Sequence, residues 1–365
     1  MNSKISDFPS NLKKKNISSQ NVLLVMESWG QGGTETYVSG LIKFLLRRKT
    51  EVRLVLLNEP GTVKIDGLSP DSITVTGFHG LVGILTNQRP DLLSLHLYTN
   101  LLPTAIIGKL FSIPIITTLH MPYSAWGMRH RLYWQMARRI STIVVGVSNK
   151  IIDEMKGTNV LKKPIPGGVD ALFFRTKKKG PSIGAFNIAA VGRLGKEKDW
   201  PTLIKAVKKL SPKNQKKTRV HFYGDGSELN LLKSIARREG IQAEFHGHVD
   251  KKDLARALAK SDLSVLPSRF EGMPLSLLEC MAAGVPMIIS NFLNPKDCFI
   301  KHGTNGHIFP KTDASALSKL ITWHIERPKR SWKMGRAGRD YVRAHFSEEM
   351  VFLHYLDIFR SATQE

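Results

Sequence analysis

The sequence predicts an α/β protein made of two Rossmann-like domains, their parallel sheets facing a central cleft. Three observations carry this expectation. Short runs rich in Val, Ile and Leu recur without the polar alternation of a half-exposed strand, as strands buried on both faces require. Helical patterns separate these runs, which makes neighbouring strands parallel. An opening of strand, glycine turn and helix occurs twice, at Asn21 and again at Asn187. The 365 residues suit two domains at roughly 150 residues each.

The elements follow in order. Asn21 to Met26 is a strand that runs into WGQGGTE, and Thr36 to Arg47 has a helical pattern. Val52 to Leu57, Leu92 to Leu97, Ile113 to Leu119 and Thr142 to Val147 are further strands, with helical segments between them. Residues 1–20 form a polar tail and 21–165 the first domain. The prolines, glycines and lysines of 166–184 mark an interdomain linker. The second domain covers 185–345. Its strands are Asn187 to Val191, Arg219 to Tyr223, Ala243 to His246, Leu263 to Leu266 and Met287 to Ser290. Helices at Trp200 to Leu210, Leu229 to Arg238, Leu254 to Ala259 and Leu275 to Ala283 alternate with them. Ser331 to Ala362 is a long amphipathic pattern with a break near His345 to Ser347, so 346–365 reads as a C-terminal helix crossing back to the first domain.

Composition narrows the class. With 42% hydrophobic residues the chain is globular, and its 54 Lys and Arg against 30 Asp and Glu give a net charge of +24. Cys280 and Cys298 are the two cysteines, too few for a disulfide scaffold or a Cys-rich zinc site, which points to a reducing compartment. The N-terminus lacks the apolar core of a secretory signal. The most apolar region, Leu95 to Met121, is broken by Pro103, Lys109, Pro114 and two histidines, and reads as helix then strand rather than as a membrane span. A cytoplasmic protein is expected. Nucleic acid, an anionic membrane surface or phosphorylated ligands would each match the charge. No helix-turn-helix or RNP pattern appears, so nucleic acid is not expected.

Ligands of such sheets bind beyond the carboxyl ends of the strands. The loop after Leu266 carries Glu271, Gly272 and Met273, and Pro274 suits the first turn of the helix opening at Leu275. Free N–H groups at that helix start favour a phosphate. Glu271 and Glu279 bracket the loop and the helix start, and a carboxylate accepts two hydrogen bonds from a sugar diol. After Val191, Arg193 and Lys198 share one loop, where two cations neutralise a diphosphate.

SRFEGMPLSLLECMAAGVP resembles the E-x7-E signature of the retaining, nucleotide-sugar-dependent glycosyltransferases of the GT-B fold, family 4. WGQGGTETYV, PIPGGVD, VGRLGKEKDWPTLIKA, YGDGSELNLL and HGTNGHIF resemble that family's other blocks in order, from about Gly32 to Phe309. The resemblance implies a hexosyltransferase that moves a sugar from a UDP- or GDP-sugar to a hydroxyl acceptor, with retention at the anomeric carbon. The acceptor class it implies is a glycan or lipid-linked saccharide of cell-envelope polysaccharide or lipopolysaccharide synthesis. It assigns Arg193 and Lys198 to the diphosphate, Glu279 to the ribose and Glu271 to the donor sugar. The functional histidine the family places after the strand Ile113 to Leu119 corresponds to His120, with His96 a second candidate. Gly32 and Gly33 open the first helix near a ligand, with Glu35 an acceptor contact. Gly224, Asp225 and Gly226 form a nucleotide-side turn with Ser227 as helix cap.

Two positions depart from the family. Gly168 stands where Asn is usual, which should loosen that turn, and Asp297 stands where many relatives have Glu. The sequence contains no Asp-x-Asp pair, so neutralisation by protein cations without a metal or other cofactor is expected. Two alternatives remain open: a nucleotide-sugar epimerase of the same fold, and a non-enzymatic polyanion-binding protein. Tyr123 to Ile140 combines Trp126, Tyr133 and Trp134 with Arg129, Arg131, Arg138 and Arg139, which suits a helix lying on the inner face of an anionic membrane. Lys13 to Lys15, Lys177 to Lys179 and Lys213 to Lys217 add cations in tails or loops.

Overall fold

The computed structural model describes residues 20–30, 32–58, 63, 65–121, 127–155, 159–161, 163–175, 180, 184–271, 274–293 and 298–363. The expectations for Gly272, Met273, Asp297, Tyr123, Trp126 and the lysine runs at 13–15 and 177–179 fall outside these residues. The chain divides into two compact units. One holds the described residues up to Val147 with Ile151–Ile165 and the chain from Glu349; the other holds Ser148–Lys150 and Pro166–Glu348.

The first unit is built from β1 (Asn21–Met26), α1 (Gly33–Arg47), β2 (Glu51–Leu56), β3 (Ile73–Val75), α2 (Phe78–Asn87), β4 (Leu92–His96), α3 (Leu101–Leu110), β5 (Ile115–Leu119), α4 (Met128–Ile140) and β6 (Ile143–Gly146). A short helix, α5 (Asn149–Glu154), follows. All strand pairs are parallel, in the order β3-β2-β1-β4-β5-β6. Strands β4 and β5 are buried along their whole length, as apolar runs covered by helices on both faces must be.

The second unit runs through α6 (Ala171–Arg175), β7 (Phe186–Val191), α7 (Trp200–Lys208), α8 (Pro212–Lys217), β8 (Thr218–Tyr223), α9 (Leu229–Glu239), β9 (Ala243–Phe245), α10 (Lys251–Lys260), β10 (Leu263–Leu266), α11 (Leu275–Ala282), β11 (Met287–Ser290), β12 (His307–Phe309), α12 (Ala314–Glu326) and α13 (Pro328–Phe346). Its parallel sheet, β12-β11-β10-β7-β8-β9, repeats the first unit's topology when read from the other edge. In both sheets the strand order reverses beside the first strand, at β1/β4 and at β7/β10. Such switch points leave a crevice at the strands' carboxyl ends.

Several details differ from the sequence expectations. The stretch expected as a linker includes α6, whose Phe173 is fully buried in the second core. Its Pro, Gly and Lys neighbours mask the short LFF run that drives this docking. The Lys213–Lys217 cations sit on α8, which Ser211 caps by accepting from the Asn214 N–H at 3.4 Å, rather than in a loop. Gly168 does not loosen its turn. A Cβ there would lie 2.6 Å from the Glu348 Cα, and the flanking Val169 N–H donates to the Phe346 carbonyl at 2.7 Å. The close approach of two backbones, not flexibility, requires this glycine. The final helix, α14 (Glu348–Thr363), buries Phe352, Tyr355 and Phe359 completely in the first unit's core. Tyr355 bonds Thr118 Oγ1 and Tyr37 Oη, both at 2.8 Å.

Candidate active site

In the second unit the loops after β7 and β10 are stitched together at the switch point. The Lys198 Nζ lies 2.6 Å from Glu271 Oε1, and the two side chains are 11% and 14% exposed. Ser268 Oγ donates to the same carboxylate oxygen at 2.7 Å, and Ser290 Oγ donates to the Ser268 carbonyl. The Arg269 N–H donates to the Glu197 carbonyl at 2.8 Å, and the Arg269 guanidinium reaches Asp199 at 3.4 Å. Asp199 adopts a left-handed conformation, φ 51°, and accepts from Thr202 Oγ1 at 2.8 Å, which turns the chain into α7.

Gly192 makes room for the lysine. Its φ is +143°, and a Cβ would sit 3.2 Å from Lys198 Nζ. An ammonium carries three donors, so contact with Glu271 leaves capacity for ligand oxygens. Arg193 is brought to Glu197 rather than to this pair. Its Nε and Nη2 donate to Glu197 Oε1 at 3.1 and 2.9 Å, and its side chain is 74% exposed. The arrangement is a largely buried cation and an exposed one on the same loop.

The expected nucleotide-side turn packs tightly against that loop. Gly224 has φ +136°, and a Cβ there would meet the Gly192 carbonyl oxygen at 2.2 Å. Gly226 is equally confined, 2.5 Å from the Leu194 carbonyl oxygen by the same measure. The Leu194 N–H donates to the Asp225 carbonyl at 2.8 Å, and Asp225 Oδ2 accepts from the His248 N–H at 2.7 Å. Both glycines are therefore packing requirements, whatever they also touch.

Leu275 opens α11 and packs onto Gly167, where a Cβ would lie 2.3 Å from its Cδ2. Glu279 sits one turn further on. Burial raises its carboxyl above the usual carboxylate range; Lys251 opposes this and Asp170 adds to it. Lys251 Nζ stands 4.0 Å from Asp170 Oδ2. Asp170, Lys251, Ser268 and Glu197 were not singled out from the sequence. Asp170 ends the PIPGGVD block and Ser268 opens the E-x7-E block, so proximity to a motif was the available signal for those two.

The first unit places a histidine pair at the carboxyl ends of adjacent strands. His96 ends β4, His120 follows β5, and their Nδ1 and Nε2 are 3.0 Å apart. His96 Nε2 lies 3.1 Å from Ser94 Oγ, and the Tyr37 ring packs edge-on against His120 at 4.9 Å. Burial lowers the His120 pKa to about 3; it also pushes His96 well below its ordinary value, and His120 adds to that. Both imidazoles are neutral near pH 7. The partner that sequence could not supply for His120 is thus another histidine, not a carboxylate.

Glu27, just past β1, ties that strand's end to the loop after β4: its Oε1 accepts from the Asn100 N–H at 2.8 Å and from the Thr99 N–H and hydroxyl. Gly32 caps α1 and Gly33 begins it. Glu35 folds back to accept from the Gly30 N–H at 3.2 Å, and a Cβ on Gly32 would lie 2.6 Å from its Oε2. The structure ties Glu35 to its own turn.

The basic helix α4 departs from expectation in which residues it shows. Trp134 is 3% exposed and packs in the core, and Tyr133 is half-buried. Instead Met128, Leu132 and Met136, spaced one turn apart, are 86%, 61% and 46% exposed. The neighbouring α3 exposes Leu110 and Ile106. Among the described residues no helix is long and apolar enough to cross a membrane.

Comparison with known proteins follows this division. Residues 31–171 match Glycosyltransferase Family 4, and residues 175–341 match Glycosyl transferases group 1. The chain is 25% identical over 285 residues to a glycogen synthase of Mycobacterium tuberculosis, covering 74% of this chain and 68% of that protein. It is 25% identical over 262 residues to the GDP-mannose-dependent monoacylated alpha-(1-6)-phosphatidylinositol monomannoside mannosyltransferase of Corynebacterium glutamicum, covering 64% of this chain and 68% of that one. Among solved structures it resembles Anabaena Alr3699/HepE in complex with UDP and glucose, with a TM-score of 0.79 over 94% of this chain and 100% of that chain at 19% identity.

Proposed function

The chain carries a Glycosyltransferase Family 4 domain followed by a Glycosyl transferases group 1 domain in the GT-B fold, and from that premise we propose that it transfers a hexose from a UDP- or GDP-sugar to a hydroxyl acceptor with retention of anomeric configuration. The observation that carries this reading is the Lys198–Glu271 pair at the β7/β10 switch point, with Arg193 on the same loop. A departing nucleoside diphosphate gains negative charge as the sugar bond breaks. A lysine already fixed and partly desolvated stabilises that charge more than the ground state.

In this reading Arg193, Lys198 and the backbone around Gly272, Met273 and Leu275 hold the diphosphate. Glu279 takes the ribose hydroxyls and Glu271 the donor-sugar hydroxyls. His120, neutral and held by His96 at 3.0 Å, is the candidate histidine of the first unit. The protein cations neutralise the diphosphate, and no metal there is required. The acceptor is a glycan or lipid-linked saccharide of envelope polysaccharide or lipopolysaccharide synthesis. The similarity to a GDP-mannose-dependent enzyme acting on a phosphatidylinositol mannoside supports a lipid-linked acceptor.

The test is incubation of the purified protein with a panel of UDP- and GDP-sugars, with and without membrane extract, followed by NMR of the product's anomeric proton. Transfer with retention supports the proposal. Interconversion of donor sugars without acceptor would replace it with an epimerase. The absence of transfer and hydrolysis from every donor would defeat it.

We also propose that α4 rests on an anionic membrane surface at the cytoplasmic side. The support is its exposed Met128, Leu132 and Met136 stripe beside the exposed Arg139, the arrangement that buries apolar side chains at the headgroup level while a cation meets lipid phosphates.

A further inference from the structure

At the edge of the second unit's sheet, away from the Lys198–Glu271 pair, three side chains converge without a role in the proposed transfer. The parallel register sets His221 of β8 beside Glu244 of β9. Side chains alternate along each strand, so His221 and Glu244 share one face while Phe222 and Phe245 stack on the other, 4.7 Å apart. His246, two residues beyond Glu244, returns to the first face. Its N–H donates to the Phe222 carbonyl at 2.9 Å, which holds it in line with the sheet.

The three donor atoms form a compact triangle. His221 Nδ1 lies 3.2 Å from His246 Nε2 and 3.5 Å from Glu244 Oε2; His246 Nε2 is 3.8 Å from that oxygen. Tetrahedral zinc with bonds of about 2.0–2.2 Å spaces its ligand atoms about 3.3–3.6 Å apart, so small side-chain adjustments close this triangle around an ion.

The supporting contacts also suit a metal. His221 Nε2 is 3.2 Å from Asn187 Oδ1. An amide oxygen accepts and does not donate, so the proton belongs on Nε2 and the Nδ1 lone pair is left toward the triangle. Tyr223 stacks within 4.6 Å of His246 and 6.4 Å of His221, which limits rotation of both rings. Two imidazoles and one carboxylate favour late first-row divalent ions over Mg2+ or Ca2+, which prefer oxygen ligands.

We propose that His221, Glu244 and His246 bind one Zn2+ ion per chain, with a solvent molecule in the fourth position. Glu244 is 55% exposed, so the ion reaches the site directly from solvent. Occupancy pins the three-residue edge strand β9 to β8. It also stiffens the adjoining turn, because the Gly224 N–H donates to the Gly247 carbonyl at 2.7 Å immediately beyond His246. The site's existence does not depend on the glycosyl-transfer reading.

The test uses the full chain, stripped with chelator and dialysed. Zn2+ is titrated by calorimetry, Co2+ by visible absorption, and unfolding is followed with and without Zn2+. One ion per chain, a tetrahedral Co2+ spectrum and a Tm rise of roughly 5–10 °C at a hundredfold excess over Kd are expected. Glu244→Gln and His246→Ala, at exposed positions, should abolish the Co2+ spectrum. Asn187→Ala should weaken binding by about 10–100-fold through loss of the ring's orientation. A chain that takes up no Zn2+, a Tm that responds equally to Mg2+, or unchanged affinity in Glu244→Gln and His246→Ala would each overturn the proposal.

Discussion

The Lys198 ammonium stands 2.6 Å from the Glu271 carboxylate, joining the loop after β7 to the loop after β10 where the strand order reverses. Both side chains are largely withdrawn from water, and Ser268 shares the carboxylate oxygen. Lys198→Met should lower kcat by about 10²–10³-fold, the usual loss for one donor aimed at developing charge. It should also cost about 1–3 kcal/mol of stability by leaving Glu271 without its cation. The double variant with Glu271→Gln should be more stable than the sum of the single losses predicts, since the two groups share one interaction. Urea unfolding and transfer kinetics on the four proteins decide this; full turnover in Lys198→Met would remove the lysine from the mechanism.

Arg193 offers the opposite balance. Its partner is Glu197, and 74% of its side chain is exposed. Arg193→Ala should therefore change stability by less than about 0.5 kcal/mol while weakening donor use at least tenfold in kcat/KM. Equal kinetics with unchanged folding would mark it as an ordinary surface cation.

Gly224→Ala tests backbone packing. The new methyl group would meet the Gly192 carbonyl oxygen at 2.2 Å, in a backbone conformation with φ +136°. The strain alone costs about 1–3 kcal/mol, and relief of the clash displaces the Arg193 loop. Loss of both Tm and donor affinity is expected, whereas Gly33→Ala, whose Cβ meets nothing within 4 Å, should leave that unit's stability close to wild type.

The histidine pair sets a pH dependence. Burial lowers the His120 pKa to about 3, below its ordinary 6.5, and His96 is lowered in the same direction. The unfolded chain then binds protons that the native state does not. This contribution is complete above about pH 6.5 and is lost as pH falls toward 3, at no more than about 1.4 kcal/mol per pH unit for each histidine. Denaturant unfolding between pH 7 and 4.5 should show a shallower decline in His120→Gln than in wild type. Parallel curves would contradict the neutral-pair arrangement.

Replacing Met128, Leu132 and Met136 by Ser should reduce sedimentation with anionic vesicles without lowering Tm, because these side chains are already exposed. Raising the salt should release the wild-type protein, since attraction between exposed charges is screened. Equal vesicle binding by wild type and the triple variant would place the membrane contact elsewhere.

Much of the fold was legible in the sequence because buried parallel strands are nearly continuous apolar runs. Leu263–Leu266 and Met287–Ser290 were read with the bounds they have. Of the three-residue strands, β9 was read within one residue, whereas β3 and β12 were not. Helix α6 was hidden by the prolines and lysines around it. In the candidate site, Arg193, Lys198, Glu271 and Glu279 could be singled out as candidates because each lies in a local block of the chain.

The pairings were not legible. Lys198 and Glu271 are separated by 73 positions (271 minus 198), and nothing local to either residue states that parallel crossovers return their loops to the same switch point. The same holds for His96 with His120 and for His221 with Glu244, where strand register alone makes neighbours. The sequence by itself determined the alternation of strands and helices, the glycine turns and the chemical groups placed at strand ends. Tertiary structure decided which of those groups meet, how far each is withdrawn from water and hence which charges each histidine and carboxylate keeps. Local propensity is a property of adjacent residues, whereas contact, burial and proton affinity depend on the sheet that brings distant residues together.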